Sequence, residues 1–360
     1  MPDPEVNLVN KLQAPAPVVS ARVLPHRGYM SLLFIIFIIF IALVFDYTNG
    51  MHDAANSSST IVSTRVSSPK QAVIWAAFFN FMAFLLFHTT VAETIGKGMI
   101  DIKTVTPTVI LAGLGGAISW NMITWYFGLP SSSSHALIGG YAGAAIVKSG
   151  FGVIIASGWY KTLVFIVLAP TIGLCLGFLL KIISMWIIYR QKPVVVNQWS
   201  RILQLFSAAL YSLGHGGNDA QKTMGLIAGL LFAGGLIHEF KIPLWVVLSA
   251  YGAIGLGTLS GGWRIVKTMG QKITKLEPID GVCAETSAAF SIFLATHFGV
   301  PVSTTHVITG AISGVGSAVR FSAVRWGVTV RIVWAWVFTI PATALLGGLV
   351  YFLCGMVGFN

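Results

Sequence analysis

The chain has 360 residues, 55% of them hydrophobic and 9% charged, with a formal net charge of +11 and a mean hydropathy of +0.81. A soluble domain carries about 25% charged residues, so this composition excludes a water-soluble globular protein. It also excludes nucleic acid as the partner of the positive charge: the basic residues sit in short segments between apolar runs, where membrane proteins place them for orientation.

Residues 1–29 are polar and contain several prolines, and read as an N-terminal tail. A first transmembrane repeat is expected over 30–190. It opens with an apolar run at 31–64, interrupted by Gly50-Met51-His52-Asp53-Ala54-Ala55-Asn56. A plain helix near 72–87 follows, then a helical hairpin over 104–147 around Pro130-Ser131-Ser132-Ser133-Ser134-His135, then a long apolar helix near 163–188. A cytoplasmic linker is expected at 191–200, and a second repeat over 201–360. There the interrupted run is 201–236, with Gly216-Gly217-Asn218-Asp219-Ala220-Gln221-Lys222. The hairpin is 281–319, around Pro301-Val302-Ser303-Thr304-Thr305-His306, and the closing helix is near 328–353. The Asp motifs recur at an offset of 166 residues and the hairpin motifs at 171, so the chain is an internal duplication. Each half crosses the bilayer three net times, and an odd number inverts the second half. The expected fold is therefore an all-α polytopic membrane protein, an inverted-repeat secondary transporter with broken helices and two helical hairpins.

Basic residues cluster at Arg65/Lys70, Arg190/Lys192/Arg201, Arg264 to Lys275 and Arg320/Arg325. The inverted topology puts all four clusters on one side, expected to be cytoplasmic in a cell inner membrane, with both termini outside. Cys175, Cys283 and Cys354 lie apart in apolar stretches and are expected to be small buried hydrophobes.

Asp53 and Asp219 are the most informative residues. An ionised Asp at membrane depth costs about 2.5–3.5 kcal/mol on insertion scales and persists when paired. Both lie at glycine-rich interruptions, where unwound backbone carbonyls would help coordinate Na⁺ as a transported ion. Asn56 aligns with Lys222, whose ammonium either replaces a transient cation or contacts an anion directly. The two Ser/Thr tips each precede a helix, whose free N–H groups and dipole favour an anion. Ser132, Ser133, Ser134, Ser303, Thr304 and Thr305 could thus surround a small tetrahedral oxyanion. His135 and His306 could relay protons or hydrogen-bond the tips. Glu285, in the second hairpin, is expected to reach the site, and Glu93 to be interfacial. Gly139/Gly143 and Gly310/Gly314 read as close helix packing. An enzyme using Ser134 or Thr305 as nucleophile is disfavoured, because duplicated tips give no single catalytic centre. An anion channel would need no buried carboxylate pair.

The paired motifs Gly50–Asn56 and Gly214–Thr223, with the tips Pro130–His135 and Pro301–His306, resemble the duplicated signature of the inorganic phosphate transporter (PiT) family across nearly all of residues 30–355. The resemblance implies phosphate symport with Na⁺ or H⁺ and no other cofactor. It places phosphate at the tip hydroxyls, and Asp53, Asn56, Asn218 and Asp219 at the cation and substrate core. It also implies homodimerisation. The short linker, unlike the large insert of animal members, leaves room for a separate small cytosolic accessory protein. His52 stands where the common form has Asn, which leaves the coupling ion open. Substrates still open are phosphate, a metal–phosphate complex, and another oxyanion such as sulfate or arsenate.

Overall fold

A computed structural model describes residues 32–358; the tail expected at 1–29 lies outside them. Twelve helices run in chain order among the described residues. The first half contains α1 (Leu32–Ser63), α2 (Pro69–Met82), α3 (Thr90–Glu93, continuing as a π-turn to Gly98), α4 (Pro107–Phe127), α5 (Ser133–Ser149) and α6 (Ala156–Ile188). The second half contains α7 (Pro193–Ala233), α8 (Leu244–Ser260), α9 (Trp263–Lys272), α10 (Pro278–His297), α11 (Thr304–Val319) and α12 (Trp326–Met356). Helices satisfy every backbone group internally, which a lipid environment demands. Their starts are written locally. Pro69 opens α2 behind a Ser68/Gln71 capping box, and Pro278 opens α10 behind a Glu277/Asp280 box.

Homologous helices α1 and α7 lie side by side and antiparallel. Asp53 faces His215, Thr64 donates to Gln204 at 2.8 Å, and Arg201 donates to the Arg65 carbonyl at 2.7 Å. As numbers rise along α1, the partners' numbers fall along α7. Two related helices can do this only if one half is inverted relative to the other.

Three details differ from the sequence reading. The breaks fall elsewhere: α1 and α7 run unbroken through both Asp motifs. The sharp bends lie in the elements expected to be plain, at 81° between α2 and α3 and 71° between α8 and α9. The motif glycines serve close approach rather than unwinding. A Cβ on Gly50 would strike the Ile254 carbonyl, and one on Gly216 the backbone of Asn80. A helical glycine costs about 1 kcal/mol relative to alanine, which this packing offsets. Second, only Cys283 is buried, while Cys175 is exposed and Cys354 half-buried. Both lie on α6 and α12, outer helices whose surface is largely free of protein contact, so lipid takes the place of a core around them. Helix α7 begins at Pro193, so most of 191–200 is helical.

The halves interlock. Gly139 and Gly143 of α5 pack against Ile340–Ala344 of α12, and Gly310 and Gly314 of α11 against Pro170–Leu174 of α6. Each hairpin is therefore gripped by the final helix of the other half. The short helices after the bends brace the hairpin tips in the same crossed manner. Thr268 of α9 donates to the Gly128 carbonyl at 3.1 Å, and Thr94 beside α3 donates to that of Gly299 at 2.7 Å. The basic clusters collect at one end, where Arg201 meets Arg65, the Arg325 N–H donates to the Ile273 carbonyl, and Gly270 abuts Ser59.

Candidate functional site: a buried ion centre between two hairpin tips

Both tips are built alike. Gly128 (φ +64°) and Gly299 (φ +68°) adopt the left-handed conformation that a side chain disfavours, and so reverse the chain. Pro130 or Pro301 follows, and then Ser132 or Ser303 caps the returning helix. The Ser132 hydroxyl accepts from the His135 N–H at 3.1 Å, and the Ser303 hydroxyl from the His306 N–H at 3.3 Å. Helices α5 and α11 thereby aim their N-termini at the α1–α7 pair.

The Asp motifs and the tips meet there. The Ser133 hydroxyl lies 3.5 Å from Asp53 Oδ1, and Thr304 donates to Asp219 Oδ2 at 3.3 Å. Asn56 Nδ2 donates to Thr305 Oγ1 at 2.9 Å. Asn218 accepts from the Val302 N–H at 3.2 Å and donates to Thr296 Oγ1 at 2.8 Å, fixing the second tip to α7 and α10. Lys222 joins the parts. Its ammonium contacts the Asp219 carboxylate, the Ser134 hydroxyl and, at 2.9 Å, the Val302 carbonyl, so it touches both tips at once. Asp53, Asn56, Ser133, Ser134, Asn218, Asp219, Lys222, Thr304 and Thr305 thus meet here as the sequence suggested, with Ser132 and Ser303 capping the helices behind them; all are buried, and Glu285 is not among them.

Two histidines complete it. His52 Nδ1 lies 2.8 Å from Asp53 Oδ1, with Nε2 at 3.1 Å from Thr124 Oγ1. His215 holds Asp53 and Asp219 together: ligand atoms of the three lie within 4.8 Å of one another. The hydrogen-bond network assigns its tautomer. Asn80 Nδ2 donates to Thr258 at 3.0 Å, so Asn80 Oδ1 accepts from His215 Nδ1–H at 3.0 Å. Nε2 then faces Asp219 Oδ2 at 3.3 Å and Asp53 Oδ2 at 4.0 Å. A neutral imidazole would turn its lone pair on two carboxylates. The arrangement is satisfied when a positive charge lies between them, either a proton on Nε2 or a cation held by the same three groups. Both histidines stand inside the repeated motifs, next to or four residues from an Asp, and that spacing was the available signal for them.

His135 and His306 take another position. Their rings pair edge to face at 4.6 Å, with Trp336 stacked on His306 at 3.7 Å. Nε2 of His135 and both ring nitrogens of His306 are buried without a hydrogen-bond partner, so these side chains do not hold the tips by those atoms.

Glu285 lies apart from the ion centre. It accepts from Thr60 at 2.6 Å, Ser207 at 2.5 Å and Gln204 at 3.2 Å, tying α10 to α1 and α7. Three donors suit a carboxylate and suit an amide poorly. Glu285→Gln is expected to lower stability by about 1–3 kcal/mol, read as a lower melting temperature in detergent; an unchanged melt would contradict this account of the contact.

The chain matches the profile of the phosphate transporter family over residues 49–200 and 190–347, one segment for each half. It is 60% identical over 321 residues to a probable low-affinity inorganic phosphate transporter of Rhizobium meliloti, covering 89% of this chain and 96% of that one. It is 45% identical to one so named from Bacillus subtilis, covering 91% and 98%. A solved structure titled as the sodium-dependent phosphate transporter superposes with a TM-score of 0.81 at 23% identity, over 90% of this chain and all of that one.

Proposed function

The chain belongs to the phosphate transporter family, and from that premise we propose that it carries inorganic phosphate across the inner membrane by symport with protons. The basic end, with Arg65, Arg201 and Arg325, faces the cytoplasm in this reading. Phosphate binds between the tips, where the N-termini of α5 and α11, the hydroxyls of Ser133, Ser134, Thr304 and Thr305, and the Lys222 ammonium converge. Lys222 and the hydroxyls exchange their present partners for phosphate oxygens, which frees Asp219 and Asp53 to hold a positive charge.

The observation that carries the coupling is the convergence of His215 Nε2 on two carboxylates. Anion and cation at membrane depth are each several kcal/mol too expensive alone, so they load and cross together. The proton is favoured over Na⁺ because α1 and α7 are continuous. Their backbone carbonyls are engaged in helical bonds, leaving few oxygen ligands for a metal ion.

Uptake of labelled phosphate into proteoliposomes, with sodium and pH gradients imposed separately, tests this. Accumulation is expected to follow the pH gradient and to be indifferent to Na⁺. Dependence on Na⁺ alone would transfer the coupling role at Asp53 and Asp219 to sodium, and indifference to both would remove symport. Competition by sulfate and arsenate in the same vesicles reads the anion class.

A further inference from the structure

Asp46 is the one buried carboxylate among the described residues with neither a hydrogen-bond nor an ion-pair partner. It sits on α1 seven residues before Asp53, on the same face of the helix and about 10 Å away. It is fully buried, and neither carboxylate oxygen has a hydrogen-bond partner. Its polar neighbours are Asn49 and Thr223; Asn49 Oδ1 and Thr223 Oγ1 are likewise buried and unpartnered. The ionisable groups facing it are Asp219 and Lys222 from α7 and Tyr251 from α8. Lys222, the only cation among them, is already held by Asp219, Ser134 and Val302.

A carboxylate, an amide oxygen and a hydroxyl oxygen therefore face one another with no cation between them, and one hydroxyl proton leaves the buried charge itself unbalanced. A metal ion fits poorly. Hard cations gather about six oxygens, and here three side chains project from unbroken helices whose carbonyls are occupied. A single proton resolves the arrangement: carried on Asp46, it becomes a donor to Asn49 Oδ1 or Thr223 Oγ1 and removes the charge. The contrast with Glu285 is direct, since that carboxylate accepts three hydrogen bonds and Asp46 none. The duplication sharpens the point. The mirror position in the second half is Ser212, whose hydroxyl donates to the Ala208 carbonyl at 2.8 Å, so the packing at this depth does not itself require an acid.

We propose that Asp46, with Asn49 and Thr223, is a second proton-binding site, two helical turns from the His215 centre, which loads and releases one proton per transport cycle. This rests on the proton-symport reading and adds a stoichiometry to it: two coupled protons, one at each site.

The test is the phosphate accumulation ratio reached by proteoliposomes at fixed voltage, as a function of the pH gradient. Each coupled proton multiplies the limiting ratio tenfold per pH unit. Asp46→Asn is expected to lower that ratio tenfold at a gradient of one pH unit, while pH-driven accumulation persists through the remaining proton. An unchanged dependence in the variant, with the wild type still driven by pH, overturns the Asp46 site and leaves symport standing. A wild type indifferent to pH overturns both. Should Asp46→Asn not transport, infrared spectra of the purified variant still decide, with Asp46→Ser, the mirror residue, as the second variant. Loss of carbonyl absorbance from a buried protonated carboxyl group supports the site, and its retention in full overturns it.

Discussion

Asp219→Asn is expected to abolish phosphate accumulation and to destabilise the protein by about 3–5 kcal/mol, the usual result of removing one member of a buried ion pair. Lys222 is 1% exposed and Asp219 fully buried, so neither solvent nor salt can replace the lost charge. The same substitution also takes a carboxylate from His215 Nε2 and an acceptor from Thr304. The two losses are separable. In Asp219→Asn/Lys222→Met no charge is left unpaired, so the melting temperature is expected to recover much of the deficit. Transport is expected to stay absent, because the cation partner and the anion-binding ammonium are both gone. Thermal melts in detergent beside proteoliposome uptake check the pair. A double mutant that accumulates phosphate against a gradient would refute the role given to this ion pair.

Gly314→Ala is expected to have the second-largest effect, although a methyl group is a small change. Its Cβ would overlap the Leu174 carbonyl and backbone of α6, atoms that cannot rotate away as a side-chain tip can. Overpacking typically costs about 1–3 kcal/mol. Here it also pushes α11, and with it Ser303, Thr304 and Thr305, away from Asp219 and Asn56. A lower melting temperature and a sharp fall in uptake are expected together. Gly143→Ala should behave the same way, since its Cβ would overlap Ala344 in the mirror-related contact. Gly152→Ala is the control: nothing lies within 4 Å of its Cβ, and it should be silent in both measurements. Silence from Gly314→Ala as well would mean that the crossed grip of hairpin and final helix does not position the site.

That grip shows where reading a sequence stops. The repeats Gly139/Gly143 and Gly310/Gly314 announce close helix packing, because small residues four apart on a helix make a groove. Nothing in their spacing says that the partner is the last helix of the opposite half. Likewise the glycines around Asp53 and Asp219 suggest unwinding as readily as close approach. Only the neighbours, Ile254 for Gly50 and Asn80 for Gly216, decide between the two. His52 and His215 were in plain view inside the repeated motifs. The role of His215 depends on the Asn80–Thr258 hydrogen bond, which orients it from helices remote in sequence, and that of His52 on Thr124 of α4.

By itself, then, the sequence determined that the chain lives in a membrane, that it is duplicated, and that buried acids and hydroxyl-rich helix starts recur in both halves. Composition and period are local properties, legible without coordinates. The tertiary structure alone decided that the repeated helices α1 and α7 are continuous and lie side by side, that Lys222 bridges both tips, that Glu285 stands apart, and that Asp46 has no ion-pair partner. Each of these depends on which groups meet across long separations in the chain, and the energy of a buried charge is set by what it meets.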